Sequence, residues 1–414
     1  MSKKNAIILI LLIFLLILGG LLFFYFYSGK NQTNGTPPIG NTPSNPFGSN
    51  VIDRNASTTQ NAGGYDYKVN NKKVATLRQL YAYPNSGAVL LERNGITFAR
   101  LVDRATGNIH EVASDSEEIK RITNTTVPKI LEAIWSSTGN SLILRYSVND
   151  PEKLDNFSAK IKTATSTSNE FTGEITGKVV AQGATNININ PTGNKLFTIS
   201  RAKGLSGSYG VFSNLDETNS KQIFESDISE WLTSWPKDNT IAFVTKPSFK
   251  QYGYLFFLNT ESGSFEKVLG GVYGLNVLVN KEANAFIYSN TSRSSVRLNY
   301  YDIKSGTDKN LQLNTLADKC VWSNLDKNIV YCAVPKSIPG DNYPDVWYQG
   351  LRSLSDNFWK IDLESGVTEI VYETGVNESV SIDAMDLKIS EDDQFLIFTD
   401  KNNLSLWGLQ IEAR

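Results

Sequence analysis

Hydrophobic residues occur in two patterns along this chain, as one continuous run near the N-terminus and as many short runs after residue 64. The continuous run, Ala6 to Tyr27, would cover roughly 33 Å as a helix rising about 1.5 Å per residue, which suits a bilayer. It ends in the aromatic stretch Phe23 to Tyr27, which favours an uncleaved membrane anchor over a cleaved signal peptide or a buried soluble helix. Because Lys3 and Lys4 precede the run, the N-terminus is predicted to be cytoplasmic and the remainder of the chain extracytoplasmic.

Residues 29–64 are rich in Asn, Thr, Pro, Gly and Ser. A segment of this composition cannot bury enough apolar surface to fold, so it is predicted to be a disordered, flexible linker. The sequence therefore predicts three parts: a cytoplasmic stub and transmembrane anchor over 1–28, the linker over 29–64, and one extracytoplasmic domain over 65–414.

The short hydrophobic runs after residue 64 belong to a repeated unit. In each copy, an aromatic or aliphatic residue and a polar turn precede a run of three or four apolar residues. Three consecutive steps between copies are 44 or 45 residues, the length of one four-stranded propeller blade. The seven copies begin at Tyr83, Trp135, Ile189, Trp235, Val279, Trp322 and Ile389.

A second turn follows about 25 residues after the first. It has Asp or Asn at its first position and Gly at its last, as in Asp103 to Gly107, Asn259 to Gly263, Asp302 to Gly306 and Asp362 to Gly366. The Asx side chain can accept backbone N–H groups, and Gly supplies a positive φ. Two hairpin turns per repeat predict four strands per repeat, and hence an all-β propeller. In the second copy the outer strands are not placed by the pattern.

The first turn resembles a degenerate Trp-Ser-Pro-Asp-Gly-Lys repeat of the TolB-type, WD-like β-propeller family, over about Tyr81 to Ile411. The resemblance implies the fold and no particular function. Seven copies predict a seven-bladed β-propeller, with six or eight blades as the alternatives.

The last copy has room for only three strands, near Met385 to Ile389, Phe395 to Thr399 and Leu404 to Ile411. A ring of blades is closed when the chain termini share one blade. We therefore expect Tyr65 to Leu77 to supply the missing fourth strand.

Cys320 and Cys332 are the two cysteines, and they flank the turn at Asp326. Two interpretations are open. In an oxidising compartment they would form a cross-strand disulfide; otherwise they are free thiols packed as small apolar side chains.

The charge and histidine counts narrow the possible functions. Lys plus Arg is 40 and Asp plus Glu is 42, a net charge of -2, which does not favour nucleic-acid binding. The one histidine, His110, lies beside the first Asx-Gly turn and is expected to be a surface residue. With so few His and Cys, no metal site, cofactor or catalytic residue is predicted.

Insertions between the second and third strands are the candidate binding loops, because they emerge on the face that carries the connections between blades. They are Tyr146 to Asn156, Arg201 to Gly210, Lys246 to Gly253 and, longest, Pro335 to Asn357. In the alternative, Trp347 and Trp359 only cover the propeller core. The candidate ligand- or partner-binding residues in the longest loop are Asp341, Tyr343, Asp345, Trp347, Tyr348 and Arg352.

These observations favour a membrane-anchored, noncatalytic binding or scaffold module for another envelope protein or a cell-envelope glycan. The alternative is a glycosidase or lyase that uses carboxylates in the central channel, since carboxylate pairs need no histidine. A third possibility is a structural part of an envelope complex. If the module interpretation holds, replacing Trp347 and Tyr348 by Ala should abolish partner capture and leave the fold intact.

Overall fold

The computed structural model describes residues 66–69, 72–147, 154–163, 173–202, 206–292, 295–338, 340, 342–375 and 381–411. The predicted anchor and linker lie outside these ranges. Within the ranges, no helix is both long enough and apolar enough to cross a bilayer.

Seven four-stranded antiparallel sheets follow one another along the chain and form the blades of a β-propeller. We number the blades in chain order and name their strands A to D from the central channel outwards. Loops between strands B and C, and the connections from one blade to the next, emerge on one face, which we call the loop face. The A–B and C–D turns lie on the opposite, turn face. The prediction of a seven-bladed, all-β fold is confirmed.

The first two strands of the chain, β1 (Asp66–Val69) and β2 (Lys72–Ala75), pair only with each other, and β3 (Leu77–Tyr81) joins the last blade. Blades 1 to 3 follow, each in the order A to D. Blade 1 is β4 (Asn85–Arg93), β5 (Ile96–Asp103), β6 (Ile109–Ala113) and β7 (Ile119–Arg121); blade 2 is β8 (Ile130–Trp135), β9 (Ser141–Tyr146), β10 (Asp155–Thr163) and β11 (Gly173–Val180); blade 3 is β12 (Ala184–Ile189), β13 (Lys195–Arg201), β14 (Ser208–Asn214) and β15 (Lys221–Ser226).

Blades 4 to 6 have the same strand order, and blade 7 takes its outer strand from the start of the domain. Blade 4 is β16 (Trp231–Lys237), β17 (Thr240–Thr245), β18 (Tyr252–Asn259) and β19 (Phe265–Tyr273); blade 5 is β20 (Asn276–Val279), β21 (Ala285–Ser292), β22 (Ser295–Asp302) and β23 (Thr307–Asn310); blade 6 is β24 (Cys320–Trp322), β25 (Ile329–Pro335), β26 (Asp356–Asp362) and β27 (Thr368–Tyr372). Blade 7 is β28 (Ala384–Ile389), β29 (Phe395–Asp400), β30 (Leu406–Gln410) and β3. Short helical turns occur at Ala317–Lys319 and at α1 (Asp345–Tyr348).

The hydrophobic core is divided into seven clusters, one between each pair of neighbouring blades. Strand B is buried on both faces: Leu196 to Ile199 in blade 3 and Ile241 to Val244 in blade 4 are buried at every position. A strand buried on both faces has an uninterrupted apolar sequence rather than an alternating one. This explains why the repeat contains runs of three or four apolar residues.

The A–B turns show why the repeat begins with a polar position. Buried Asn190 accepts hydrogen bonds through Oδ1 from the backbone N–H groups of Asn194 and Lys195, at 2.9 and 2.7 Å. Ser390 Oγ accepts the N–H of Phe395 at 2.9 Å in blade 7. A buried Ser or Asn is therefore required to satisfy backbone donors inside the turn. The same position is occupied by Ser136, Asn280 and Ser323 in blades 2, 5 and 6.

The C–D turns of blades 4, 5 and 6 have the predicted Asx-Gly geometry. In blade 5, Asp302 Oδ1 accepts the N–H of Ser305 at 2.7 Å, and Gly306 has a φ of 67°. In blade 3, Asn219 adopts the left-handed conformation in place of Gly, with φ of 56°. The outer strands of blade 2, which the sequence pattern did not place, are β10 and β11.

The first copy of the repeat was assigned wrongly. Tyr83 to Gly87 is not an A–B turn, because β4 begins at Asn85 and is itself strand A. The A–B turn of blade 1 is Asn94–Gly95, with φ values of 53° and 75°. The turn at Asp103 is accordingly the B–C turn of this blade. The error arose because the connection into blade 1 is also polar and also precedes an apolar run.

The ring is closed by a strand from the start of the domain, but the predicted strand was wrong. The predicted segment, Tyr65 to Leu77, reaches the last blade only at its end, because β1 and β2 pair with each other. The closing strand is β3, with Leu77 opposite Leu409 and Tyr81 opposite Leu406 of β30. Leu77, Leu80 and Tyr81 are buried, and this apolar surface fixes the register.

Polar contacts also hold the closing strand. The buried guanidinium of Arg78 donates to the backbone carbonyls of Ala113 and Ser116 in blade 1, at 2.8 Å each. Strand β3 therefore links blade 7 to blade 1 as well as completing blade 7.

Cys320 and Cys332 lie directly opposite each other on β24 and β25, strands A and B of blade 6. The structure joins them by a disulfide with a sequence separation of 12 residues. Both cysteines are buried in the cluster between blades 5 and 6.

Two truncated domains test the closing strand. A domain that begins at Thr76 retains β3, and a domain that begins at Ala82 lacks it. Loss of three buried side chains should lower the free energy of unfolding by roughly 5 kcal/mol or more, measured by urea denaturation. Equal midpoints for the two domains would show that β3 does not close the ring.

The disulfide can be tested by replacing both cysteines. Cross-linking a short loop stabilises a fold by about 2–3 kcal/mol, mainly through the unfolded state. We expect the double variant Cys320→Ala, Cys332→Ala to have a lower urea midpoint than the oxidised protein and the same midpoint as the protein in reductant. A wild-type midpoint that does not respond to reductant would contradict the disulfide.

Candidate functional site

The longest insertion on the loop face is the blade 6 loop, which we define as residues 336–355 between β25 and β26. Only two residues separate β21 from β22 in blade 5, so the B–C connection of that blade is short. The blade 6 loop extends across it towards blade 4, where the Asp345 carboxylate accepts the backbone N–H of Phe249 at 2.8 Å. The long loop of one blade thus covers a neighbour with a short loop.

Two of the predicted binding residues point inwards from this loop. Tyr343 is 4% exposed and Trp347 is 3% exposed, and both pack in a cluster with Val296, Leu316 and Leu354. In this arrangement neither ring can contact a partner. The expectation that Trp347 could be replaced by Ala without damage to the fold does not agree with this burial.

The other predicted binding residues differ in position. Tyr348 is 38% exposed and Arg352 is also exposed. Asp345 is half-buried and connects the two loops, whereas Asp341 lies outside the described residues. Tyr348 and Arg352 are thus the predicted residues that a partner could reach most easily.

Trp359 does not belong to the cluster that holds Trp347 beneath the blade 6 loop. It is half-buried on β26, where it packs against the hydrophobic cluster between blades 5 and 6. It also lines an open groove of about 540 Å³ at the outer part of blade 6, together with Lys336 and Glu373. Trp359 therefore covers part of the core, but away from Trp347.

A buried ion cluster lies beneath the blade 6 loop. The side chains of Lys319, Asp356 and Asp383 are 0% exposed. Lys319 Nζ donates to Asp356 Oδ2 at 2.8 Å, to Asp383 Oδ1 at 2.7 Å and to the carbonyl of Ala384 at 2.8 Å. An ammonium group has three N–H bonds, so all of the donors of Lys319 are used.

The cluster holds the blade 6 loop to blade 7. Trp347 Nε1 donates to Asp383 at 2.9 Å, and the backbone N–H of Leu354 donates to the same carboxylate at 2.9 Å. The ammonium groups of Lys319 and Lys401 lie 4.9 and 5.1 Å from the centre of the Trp347 ring, within the range of cation–π attraction. Asp383 is therefore the point at which the middle and the C-terminal end of the loop are anchored.

The cluster contains two carboxylates and one ammonium. Burial raises the pKa of Asp356 to about 6; the charge of Lys319 opposes this shift and the charge of Asp383 adds to it. Among the described residues, Asp356 Oδ1 and the Tyr343 hydroxyl are buried atoms without a hydrogen-bond partner. Burial also raises the pKa of Tyr343.

Two further carboxylates, Asp318 and Asp386, are exposed next to the inner strands of blades 6 and 7. Tyr348 Oη donates to Asp318 Oδ2 at 2.6 Å and accepts from Asn276 Nδ2 at 3.0 Å. Desolvation by the surrounding protein raises the pKa of Asp318; hydrogen bonds from Tyr348 and Asn276 oppose the shift, and the charge of Asp386 adds to it. This is the carboxylate-bearing part of the channel mouth.

Exposed large hydrophobic side chains are distributed unequally between the two faces. Of twelve among the described residues, nine lie on the loop face or at strand ends that reach it. The other three, Leu325, Val367 and Ile370, are on the turns and outer strand of blade 6. The nine are Tyr83, Leu131, Val179, Ile228, Leu232, Tyr252, Tyr273, Tyr348 and Leu351.

The largest exposed rings of this set form a pair on blade 4. Tyr252 and Tyr273 are opposite each other at the loop-face ends of β18 and β19, and their rings stack with centroids 4.1 Å apart. They are 52% and 43% exposed. Two Tyr rings present apolar area with few side-chain torsions to fix on binding.

Sequence reasoning missed the ion cluster and the Tyr pair. Lys319 and Asp383 are 64 residues apart, and no local spacing relates them. Tyr252 was inside a predicted loop, but its partner Tyr273 belongs to the next strand of the hairpin. His110 is half-buried, with its ring 5.2 Å from that of Tyr81.

The ion cluster can be tested with Lys319→Met. Removal of the ammonium leaves two buried carboxylates without their cation, which should cost about 3–5 kcal/mol of unfolding free energy. Lys281→Met is the matched control, because Lys281 is exposed and its ammonium donates to the carbonyl of Asn324 in the next blade. We expect a change within about 0.5 kcal/mol. Equal urea midpoints for the two variants would contradict a structural role for Lys319.

No protein-family model matches the sequence, and no curated protein matches it. Among solved structures, an oligogalacturonate lyase in complex with manganese has a TM-score of 0.54 and 13% identity, over 84% of this chain and 96% of the other. A puromycin-hydrolysing peptidase from Mycobacterium tuberculosis has a TM-score of 0.52 and 10% identity, over 81% of this chain and 54% of the other. TolB from Acinetobacter baumannii has 13% identity and a TM-score of only 0.42, over 67% of this chain and 64% of the other. At such identities the likeness shows the fold alone, and the chain is an all-β, seven-bladed propeller.

Proposed function

We propose that this chain is a noncatalytic binding module, anchored in the cell membrane by its N-terminal segment, that presents a β-propeller on the extracytoplasmic side. In this proposal, the loop face takes the partner. The observation that supports it best is the concentration of exposed hydrophobic side chains on that face. Exposed apolar area grouped on one surface is typical of a binding site.

The composition of the face favours a protein partner over a glycan. Besides the Tyr pair, the face exposes Ile228 and Leu232 at the start of blade 4 and Leu351 on the blade 6 loop. Aliphatic side chains gain free energy from packing against other apolar side chains, whereas sugar sites depend on flat aromatic surfaces. We therefore expect an apolar patch on an envelope protein to bind here.

The membrane part of the proposal is supported by the sequence. The apolar run Ala6 to Tyr27 has the length of a spanning helix, and Lys3 and Lys4 precede it. The Pro- and Asn-rich linker would allow the propeller to reorient above the membrane.

Photo-crosslinking of the full-length chain in its membrane tests the loop face. A photoreactive residue at Tyr252 or Leu232 should cross-link to a partner protein, and the same residue at Val367 or Leu325, on blade 6 away from the loop face, should not. Once the partner is identified, Leu232→Ser should weaken its binding at least tenfold, as expected for an apolar residue at the centre of an interface. Leu325→Ser, a matched change at a residue that is 70% exposed, should leave the Kd unchanged.

Other outcomes point to other functions. Equal cross-linking from both sets of positions would contradict a binding site on the loop face. Retention of envelope glycan but no protein would favour the glycan alternative. Turnover of a glycan that is lost in Asp318→Asn or Asp386→Asn would favour the enzymatic alternative and contradict a noncatalytic module.

A further inference from the structure

The hydrogen bonds of the buried ion cluster distinguish its two carboxylates. Asp383 accepts at both oxygens: Oδ1 from Lys319 and Trp347, and Oδ2 from Trp347 and the N–H of Leu354. Asp356 accepts only at Oδ2, from Lys319 and from the N–H of Ala384 at 2.7 Å. Its Oδ1 is buried and has no partner among the described residues.

One ammonium can neutralise only one of the two carboxylates. A buried anionic oxygen without a donor is costly, because it loses its hydration and gains nothing in return. A proton on that oxygen removes the excess charge of the cluster. The geometry therefore assigns the negative charge to Asp383, where both oxygens accept hydrogen bonds, and the proton to Asp356 Oδ1.

We propose that Asp356 is a proton-controlled latch for the blade 6 loop, closed while Oδ1 carries a proton and loosened when that proton is released to solvent. Release leaves one ammonium facing two carboxylates inside the protein. The loop is the element most able to respond, because it is held to the cluster through Trp347 and Leu354.

Other ionisable groups face the cluster and bear on its titration. Burial raises the pKa of Asp400, whose Oδ1 accepts the backbone N–H of Asp383 at 3.1 Å. The loop contributes Tyr343, whose raised pKa keeps its hydroxyl neutral in this range. The charged groups around the cluster are Lys319 and Asp318 before β24, Asp383 before β28, Asp400 at the end of β29, Lys401 after it, and Asp386 within β28.

The direction of the pH effect follows from the pKa of Asp356 in the two states. With the loop closed, burial raises this pKa to about 6, and an Asp that opening exposes to water titrates near 4. The closed state therefore binds the proton more tightly, and its extra stability is fully present below about pH 4 and is lost as the pH rises through about 6. The equilibrium constant for opening should rise about 25-fold from pH 4 to 6 and about twofold more from pH 6 to 7.

The blade 6 loop carries Tyr348 and Leu351, so the latch would control part of the loop face; this consequence rests on the proposed function. The latch itself does not depend on the proposed function. Its test needs no partner, so failure of the binding proposal and failure of the latch are separate results.

Hydrogen exchange of the full-length chain, followed by mass spectrometry between pH 4 and 7, measures the opening directly. After correction for the intrinsic pH dependence of exchange, peptides that contain Leu354 should lose protection about 25-fold from pH 4 to 6. Peptides from β13 in blade 3 should keep constant protection over the same range.

Two variants identify the titrating group. Asp356→Asn keeps a neutral side chain at every pH, so the loop should stay protected and the slope should disappear. Glu92→Gln, which removes another carboxyl of raised pKa on blade 1, should keep the wild-type slope. The latch is overturned if the wild-type loop shows no pH dependence, or if Asp356→Asn retains the slope. The wild-type profile alone decides the matter if Asp356→Asn does not fold.

Discussion

Each blade of this protein needs a neighbour on both sides. The seven hydrophobic clusters lie between blades rather than within them, and a single four-stranded sheet cannot bury its own two faces. A row of such sheets would leave two apolar faces in water. Only a ring removes both, and it is closed by the pairing of β3 with β30, where Leu77 lies opposite Leu409.

The ring also determines where functional variation is tolerated. The turn face consists of tight turns whose Ser, Asn and Asp side chains satisfy backbone donors, as at Asn190 and Asp302. Changes there would leave N–H groups unpaired. The loop face has no such repeated requirement, and it carries the long insertions and most of the exposed hydrophobic side chains. A long insertion on this face needs its own interactions to hold it in place. For the blade 6 loop, these come from a buried, charged cluster.

The sequence was sufficient to predict the fold because its signals are local. Turn residues and strand B recur within each blade, so the hairpins could be recognised without knowledge of tertiary contacts. The prediction failed where the pattern depended on the ring as a whole. The connection before Asn85 resembled an A–B turn, and the closing strand was placed at Tyr65 to Leu77 instead of at Leu77–Tyr81. A polar turn before an apolar run does not reveal which strand is the inner one.

The candidate site was less predictable because its contacts join residues that are far apart in the sequence. The blade 6 loop was identified by its length and its aromatic residues, but the direction in which Trp347 points depends on Asp383 in another blade. Lys319, Asp356 and Asp383 have no common motif, and their interaction exists only after blades 6 and 7 are side by side. The Tyr252–Tyr273 pair likewise requires the hairpin register.

Closure of the ring as one cooperative unit is the central claim, and native-state hydrogen exchange under increasing denaturant tests it most directly. If β3 completes the ring, the slowest amides of β3, of β30 and of β13 on the far side should converge on one opening free energy. If the amides of β3 exchange by local opening while β13 stays protected, the ring does not depend on its closing strand.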